Sequence, residues 1–251
     1  MNLEVLFAPA EFAALGQRDL KETVCVVFDV LRATSTMVTA LANGAEAIVP
    51  VAEIPEAMAL RRQDSQLLLA GERNGLRIRA EQTGGTDFDL GNSPREFTRD
   101  RIHGKRIAMS TTNGTRALRA CAPAQDVLLG SFLNLGATAG FIRGHAPGDL
   151  LVVCSGTADQ CAYEDVLGAG ALCDRLWDLC RPETVADSAK MARQLFHVER
   201  ADLLAAASKS RNGARLLRHA ELAEDVAFCL QLDRFELVAL LERDEVRRLR
   251  W

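Results

Sequence analysis

Residues 24–37, VCVVFDVLRATSTM, place an acid, a base and several hydroxyl groups directly behind a run of apolar residues. Asp29 at the end of such a run offers the carboxylate that a divalent cation binds. Arg32, three positions later, carries a guanidinium that can hold an anion through two parallel hydrogen bonds, and Thr34 and Ser35 add short donors. An Asp29–Arg32 surface ion pair beside a capping threonine explains the same residues equally well, so this stretch alone leaves both interpretations open.

Three more acids occupy comparable positions. Glu72 ends the apolar run in AGERNGL, and Glu164 and Asp165 begin a helical pattern in CAYEDVLGAG. Mg²⁺ takes oxygen ligands and keeps several waters, so two or three carboxylates suffice to hold it. We therefore expect Mg²⁺ as the cofactor, with Asp29, Glu72, Glu164 and Asp165 as its candidate ligands. For Glu164 and Asp165 the alternative is that they are first-turn acids that stabilise the helix dipole.

Polar loops follow several of the apolar runs, as in STTNGTR, GSFLN and CSGT. At the carboxyl edge of an α/β sheet such loops lead into helix N-termini, whose free amides attract anions. Gly91 and Gly114 would let the backbone approach a ligand. The candidate groups for binding a phosphate or sulfonate are Thr34, Ser35, Asn92, Ser93, Thr111, Thr112, Asn113, Gly114, Ser131 and Ser155. Taken singly, each is also explained as an N-cap or turn residue.

Short apolar runs alternate with helical patterns over the first two thirds of the chain. Strands are predicted at VCVVFDV, AIVPV, QLLLAGE, RIAMST, DVLLGSF and DLLVVCSG. Helices are predicted at residues 34–42, 55–63, 114–122 and 134–144, with Gly44 and Gly144 as stops, and then at 163–180, 184–197, 203–217 and 221–230. This order indicates an α/β fold with a mainly parallel or mixed sheet and a helix-rich C-terminal third, in a single domain over residues 1–251.

Composition excludes several classes of protein. With 34 acids against 30 bases in 251 residues and no long basic run, nucleic acid is not an expected partner. The N-terminus has no secretion pattern, and no apolar segment is long enough to span a membrane, so we expect a cytoplasmic protein without a membrane partner. The seven cysteines form no CxxC pair, which favours reduced thiols over disulfides or zinc. A homo-oligomer is left open.

Several longer motifs carry a family resemblance. The stretches DVLRATSTMVTALANGA, GERNGLRI, FDLGNSP, STTNGTRAL, GSFLNL, CSG and YEDVLGAG occur in this order from about residue 24 to residue 170. Their sequence and spacing resemble the 2-phosphosulfolactate phosphatase family. The resemblance implies a three-layer α/β/α fold and a magnesium-dependent acid phosphatase acting on 2-phospho-3-sulfolactate, a step toward coenzyme M. The small anionic substrate could also be another phosphorylated hydroxy acid.

The spacing of residues argues against three other phosphatase designs. Cys154 lacks an arginine six positions later, Asp29 lacks a second acid two positions later, and a P-loop motif is absent. Metal-assisted attack by water is therefore favoured, with Asp29, Arg32, Glu72 and Asp165 as catalytic candidates and a phosphoaspartate at Asp29 left open. Two other functions remain: a non-hydrolytic anion-binding protein, and an isomerase or lyase of a phosphorylated hydroxy acid.

Overall fold

The computed structural model describes residues 1–249. Its sheet has ten strands. They are β1 (Asn2–Leu6), β2 (Thr23–Phe28), β3 (Ala47–Val51), β4 (Leu68–Arg73), β5 (Leu76–Arg77), β6 (Arg106–Ser110), β7 (Asp126–Gly130), β8 (Asp149–Cys154), β9 (Ala239–Glu242) and β10 (Glu245–Arg248). The six predicted strands correspond to β2, β3, β4, β6, β7 and β8, so the apolar runs were interpreted correctly.

Helices connect most of these strands. They are α1 (Phe12–Leu15), α2 (Ala33–Ala42), α3 (Ile54–Gln63), α4 (Ala80–Thr83), α5 (Arg99–Ile102), α6 (Gly114–Cys121), α7 (Leu135–His145), α8 (Tyr163–Leu176), α9 (Asp187–Glu199), α10 (Leu203–Ser208), α11 (Arg211–Leu217) and α12 (Ala223–Cys229). Within residues 1–249 no helix is both long and apolar enough to cross a membrane.

The central strand β2 shows why the apolar runs are continuous. Its side chains alternate between two cores, because successive residues of a strand point to opposite faces of the sheet. Val24, Val26 and Phe28 pack in the core shared with α7, α8 and α9. Cys25 and Val27 pack in the core shared with α1, α2 and α6. Helices therefore cover both faces, and the α/β/α fold is confirmed.

The sheet is mixed, which is one of the two arrangements expected. Its order is β1-β8-β2-β7-β9-β10-β3-β6-β4-β5. Pairing is parallel among β1, β8, β2 and β7, and again among β3, β6 and β4. The antiparallel pair β9–β10 joins the two groups. Three successive antiparallel pairings separate β7 from β3, so the two parallel groups run in opposite directions.

The helix-rich C-terminal third is confirmed, and two other predictions about secondary structure were wrong. The C-terminal third is rich in helix, but it also supplies β9 and β10, which lie in the middle of the sheet. The helix predicted at 203–217 is two helices, because the Ser210 hydroxyl accepts a hydrogen bond from the Gly213 amide at 2.9 Å and caps a new helix. Gly144 does not stop α7, which ends at His145 with Ala146 in a left-handed conformation.

Candidate functional site

A cavity of about 230 Å³ lies where the loops after β2, β4, β6 and β8 meet α8 and α11. All four candidate metal ligands and all four catalytic candidates contribute to its wall. The predicted residues found there are Asp29, Arg32, Glu72, Asn92, Thr111, Thr112, Asn113, Glu164 and Asp165. The expectation that strand-end loops converge is therefore correct, although they come from both halves of a mixed sheet.

Asp29 follows the last residue of β2 and uses its two carboxylate oxygens differently. The Ala33 amide donates to Oδ1 at 3.0 Å, so Asp29 does cap α2. No hydrogen bond from the described residues reaches Oδ2. Burial, together with the charges of Glu72 and Glu164, raises the pKa of Asp29 to about 7 against the lowering effects of the Ala33 amide and Arg32.

Asp165, in the first turn of α8, joins two strand-end loops. Its Oδ1 accepts a hydrogen bond from the Val30 amide at 2.8 Å, and its Oδ2 accepts one from the Gly156 amide at 3.0 Å. Gly156 has φ +63°, and a Cβ there would collide with the Gln160 backbone oxygen. Burial, then the charges of Asp29 and Glu164, raise the pKa of Asp165 well above its ordinary value.

Glu72 joins the other half of the sheet to the same cavity. The Gly75 amide donates to Oε2 at 2.7 Å, while the amide and hydroxyl of Thr112 donate to Oε1 at 3.1 and 2.9 Å. Both donors of Thr112 are therefore engaged by Glu72. This arrangement corrects the expectation that they are free for a substrate phosphate.

Arg32 forms neither the exposed anion clamp nor the Asp29 ion pair that its position in the sequence suggested. It is 3% exposed, and its Nη1 donates to Asp225 Oδ2 at 2.7 Å. Its Nη2 donates to the Gly75 backbone oxygen at 2.6 Å. The Ser93 hydroxyl donates to the other oxygen of Asp225 at 2.7 Å. The guanidinium is thus held in place by α12 while one side of it lines the cavity.

Several predicted donors lie outside the cavity wall, and their hydroxyls have partners inside the protein. Thr34 donates to the Asp29 backbone oxygen at 3.0 Å, Ser35 to that of Val30 at 2.9 Å, and Ser131 to the Asn134 side chain at 2.9 Å. Ser93 is engaged by Asp225, as described above. The Ser155 hydroxyl is buried and has no partner within residues 1–249, but it does not line the cavity.

Gly114 corrects a further expectation. A Cβ at this position would lie 2.8 Å from the Ala33 Cβ and 3.0 Å from Asp29 Oδ2. The space beside Gly114 is therefore filled by protein atoms rather than left for a ligand, and the glycine permits close packing of α6 against Asp29. At Gly91 the same space is occupied by the Glu96 carboxylate, 2.6 Å from a Cβ.

The cavity also contains residues that the sequence reasoning missed. The Asn212 amide nitrogen donates to Glu164 Oε1 at 2.6 Å and to the Thr157 hydroxyl at 2.8 Å. Arg215, one turn later on α11, also lines the cavity. Ser210, a preferred N-cap residue directly before Arg211, was the available signal that a new helix begins here.

The oxygen atoms at the cavity fit a hard divalent cation. Asp29 Oδ2 and Glu164 Oε2 accept no hydrogen bond from residues 1–249, and the buried Asn92 Oδ1 has no partner there. Within the described residues, no group of three or more His, Cys, Asp and Glu side chains is arranged to hold a metal. A cation that takes one or two carboxylates and keeps its waters, as Mg²⁺ does, is compatible with both facts.

The charges in the cavity wall disfavour binding of an anion without an accompanying cation. The wall carries the carboxylates of Asp29, Glu72, Glu164 and Asp165 but only two arginines, Arg32 and Arg215. Arg32 is already paired with Asp225, so the carboxylates outnumber the free cationic groups. A multiply charged anion would be repelled unless a cation offsets these acids.

Cys154 is not part of this wall. It is fully buried at the end of β8, and burial raises the pKa of its thiol well above the ordinary value. A thiol held in this form is a poor nucleophile, which agrees with the spacing argument against a cysteine phosphatase.

Comparison with known proteins decides the family. The family described as 2-phosphosulpholactate phosphatase matches residues 12–244. The chain belongs to this family. A relative from Caldanaerobacter subterraneus, named probable 2-phosphosulfolactate phosphatase, is 38% identical over 94% of this chain and 95% of its own length. One with the same name from Pseudothermotoga lettingae is 37% identical over 96% of both chains. A third, from Caldicellulosiruptor saccharolyticus, is 42% identical over 71% of this chain and 72% of its own.

As a member of the 2-phosphosulpholactate phosphatase family, the chain carries its motifs at the cavity. The quoted stretches that contain Asp29, Glu72, Thr111, Gly156 and Asp165 all contribute to the wall or to contacts at it. The resemblance recognised from the motifs is thus confirmed over nearly the whole chain.

The raised pKa of Asp29 predicts an unusual dependence of stability on pH in metal-free protein. The folded pKa of about 7 exceeds the ordinary 3.8, so the folded state binds more protons than the unfolded state between these values. The contribution of Asp29 to the free energy of unfolding should therefore fall as pH rises from about 4 to about 7, by up to about 4 kcal/mol.

Urea unfolding of wild type and Asp29→Asn at pH 5 and pH 8 in EDTA measures this contribution. The free energy of unfolding of wild type minus that of Asp29→Asn should be larger at pH 5 than at pH 8. An identical pH dependence in both proteins would show that Asp29 titrates normally.

Proposed function

We propose that this protein is a Mg²⁺-dependent phosphatase that hydrolyses the phosphate monoester of 2-phospho-3-sulfolactate to 3-sulfolactate and inorganic phosphate. The observation that carries the proposal is that Asp29 and Glu164, each with a carboxylate oxygen unengaged within residues 1–249, line the same cavity as Arg32. The relatives' names supply the substrate class.

We assign two roles to the acids of the cavity: some would bind the cation, and the others fix the loops that form the wall. Asp29 and Glu164 would hold the cation through their unengaged oxygens, with Asn92 Oδ1 beside them. Glu72 and Asp165 add negative charge and, through their hydrogen bonds to backbone amides, fix the loops that form the wall. When bound, Mg²⁺ would neutralise charge on the phosphoryl oxygens and polarise the phosphorus–oxygen bonds.

Hydrolysis itself requires a nucleophile and a stabilised leaving group. We propose that water attacks phosphorus and that the bond to the C2 oxygen of the substrate breaks, with that oxygen leaving as the hydroxyl of 3-sulfolactate. Arg32 uses two of its five N–H groups on Asp225 and Gly75, so others remain to stabilise charge that develops on the phosphoryl group. Attack by Asp29 Oδ2 to form an aspartyl phosphate is the alternative route.

A phosphate-release assay on 2-phospho-3-sulfolactate tests the proposal. We expect one inorganic phosphate per substrate, loss of turnover after dialysis against EDTA, and recovery on addition of Mg²⁺. Full activity in metal-free enzyme would refute the role of Mg²⁺. Binding of the ester without phosphate release would indicate an anion-binding protein, and conversion of the ester without phosphate release would indicate an isomerase or lyase.

We propose further that residues 1–251 act as a single cytoplasmic domain on a small anion, without nucleic acid or membrane partners. The net charge of −4 is unfavourable for binding a phosphodiester backbone. The seven cysteines are free thiols, as expected in a reducing compartment. The possibility of a homo-oligomer is left to a measurement of mass in solution.

A further inference from the structure

Arg215 reaches the cavity from a different wall than the carboxylates at its strand ends. It lies on α11, whereas Asp29 and Glu72 lie at the carboxyl ends of β2 and β4. Its guanidinium forms no salt bridge within the described residues. Its Nη2 donates a hydrogen bond to Asn212 Oδ1 at the long distance of 3.3 Å.

Arg215 differs from Arg32 because its guanidinium is not already paired with an acid in the described part of the protein. Arg32 is buried and ion-paired, so its positive charge is already balanced by Asp225. Arg215 is exposed at the cavity mouth and its charge is unbalanced by any acid within 4 Å among residues 1–249. A free guanidinium fork is suited to bind a planar carboxylate or a sulfonate through two parallel hydrogen bonds.

The backbone segment that carries Arg215 is held in place by its buried neighbours. Asn212 is buried, and its amide nitrogen is shared by Glu164 and the Thr157 hydroxyl, which leaves its Oδ1 toward Arg215. Leu216, the next residue, is buried in the main core. The start of this side chain is therefore fixed, although its guanidinium is exposed.

We propose that Arg215 binds the anionic group of the substrate that is not transferred, the carboxylate or the sulfonate, and so selects phosphate monoesters that carry a second anion. This inference rests on the proposed phosphatase function. The four acids of the wall, at the ends of β2 and β4 and the start of α8, would repel such a group unless it is directed to a cationic side chain. Arg215 on α11 supplies that cationic contact.

Four phosphate monoesters distinguish whether Arg215 binds the carboxylate or the sulfonate of the substrate. They are 2-phospho-3-sulfolactate, 2-phospholactate without the sulfonate, 2-sulfoethyl phosphate without the carboxylate, and isopropyl phosphate with neither. In Arg215→Gln, we expect kcat/KM to fall about 10- to 100-fold for the esters that carry the group Arg215 binds, mainly through KM. Isopropyl phosphate should be hydrolysed as by the wild type, and whichever single-anion ester is affected identifies the group.

Arg218→Gln is the matched control, since it removes the same charge from the end of the same helix, outside the cavity. It should leave all four reactions unchanged, and both variants should melt like the wild type. An equal loss on all four esters in Arg215→Gln, or no loss on any, would overturn the proposal.

Failure of the proposed function is recognised separately. If wild-type protein releases phosphate from none of the four esters, calorimetric binding of 3-sulfolactate still tests Arg215. Binding that weakens at least about 10-fold in Arg215→Gln, but not in Arg218→Gln, supports the contact. Binding that is equal in wild type and Arg215→Gln, or absent in wild type, contradicts it.

Discussion

Asp29→Asn should lower kcat by about 10³-fold or more while the protein stays folded. The substitution keeps the side-chain volume and leaves an oxygen to accept the Ala33 amide, so the cap of α2 survives. It removes the negative charge at the oxygen that no described residue engages. Under the proposed function Asp29 either holds a cation or attacks phosphorus, and in both cases loss of that charge should remove most of the turnover.

Phosphate release and melting temperature, each with and without Mg²⁺, measure the effect of this substitution. At pH 8 without metal the variant should melt at the same or a higher temperature than wild type, because it lacks a buried charge near Glu72 and Glu164. Asp100→Asn, at an exposed position in the first turn of α5, is the charge-matched control and should be fully active. If Asp29→Asn is less stable but keeps normal kcat and a normal Mg²⁺ response, Asp29 acts only as a helix cap and has no catalytic role.

Asp225→Ala should destabilise the protein by about 3–5 kcal/mol, because it leaves the Arg32 guanidinium buried without its counter-ion. Asp225 is 0% exposed and accepts from both Arg32 and Ser93. Loss of this carboxylate also frees Arg32 to move at the cavity, so kcat/KM should fall together with stability.

The neighbouring acid Glu224 provides the control for urea unfolding. Its side chain is 74% exposed and pairs with Arg95 at the surface, so Glu224→Ala should cost about 1 kcal/mol or less. Equal destabilisation by the two substitutions would show that the Arg32–Asp225 pair contributes no more than a surface pair.

The same pair changes the expectation for Arg32→Lys. From the sequence, this substitution should weaken anion recognition without affecting folding. In the structure, Arg32 connects Asp225 to the Gly75 backbone oxygen, and an ammonium cannot make both contacts in the same plane. We therefore expect reduced stability as well as reduced kcat/KM in Arg32→Lys.

Local patterns were sufficient for six of the ten strands and for polar residues that follow or begin the predicted elements. An apolar run buried on both faces ends where the chain leaves the sheet, and polar residues at that point must face solvent or a cavity. Asp29, Glu72 and Asp165 were found in this way, together with the polar loop at 111–113. β9 lies in the apolar run at residues 237–241, a signal of the same kind that was not interpreted as a strand, whereas the charged β10 (EVRR) has no such run and owes its place in the sheet to pairing with β3 and β9.

The partners of the functional groups depend on contacts between distant parts of the chain. Arg32 and Asp225 are 193 residues apart, and Glu164 and Asn212 are 48 residues apart. No local periodicity reports such pairs, because folding brings them together only when α11 and α12 pack beside the strand-end loops. Residue type and spacing therefore identified the acids of the cavity and the family. The burial of Arg32, the second role of Asp29 as a helix cap and the free guanidinium of Arg215 follow from long-range packing, which sets the burial and hydrogen bonding of each charged group.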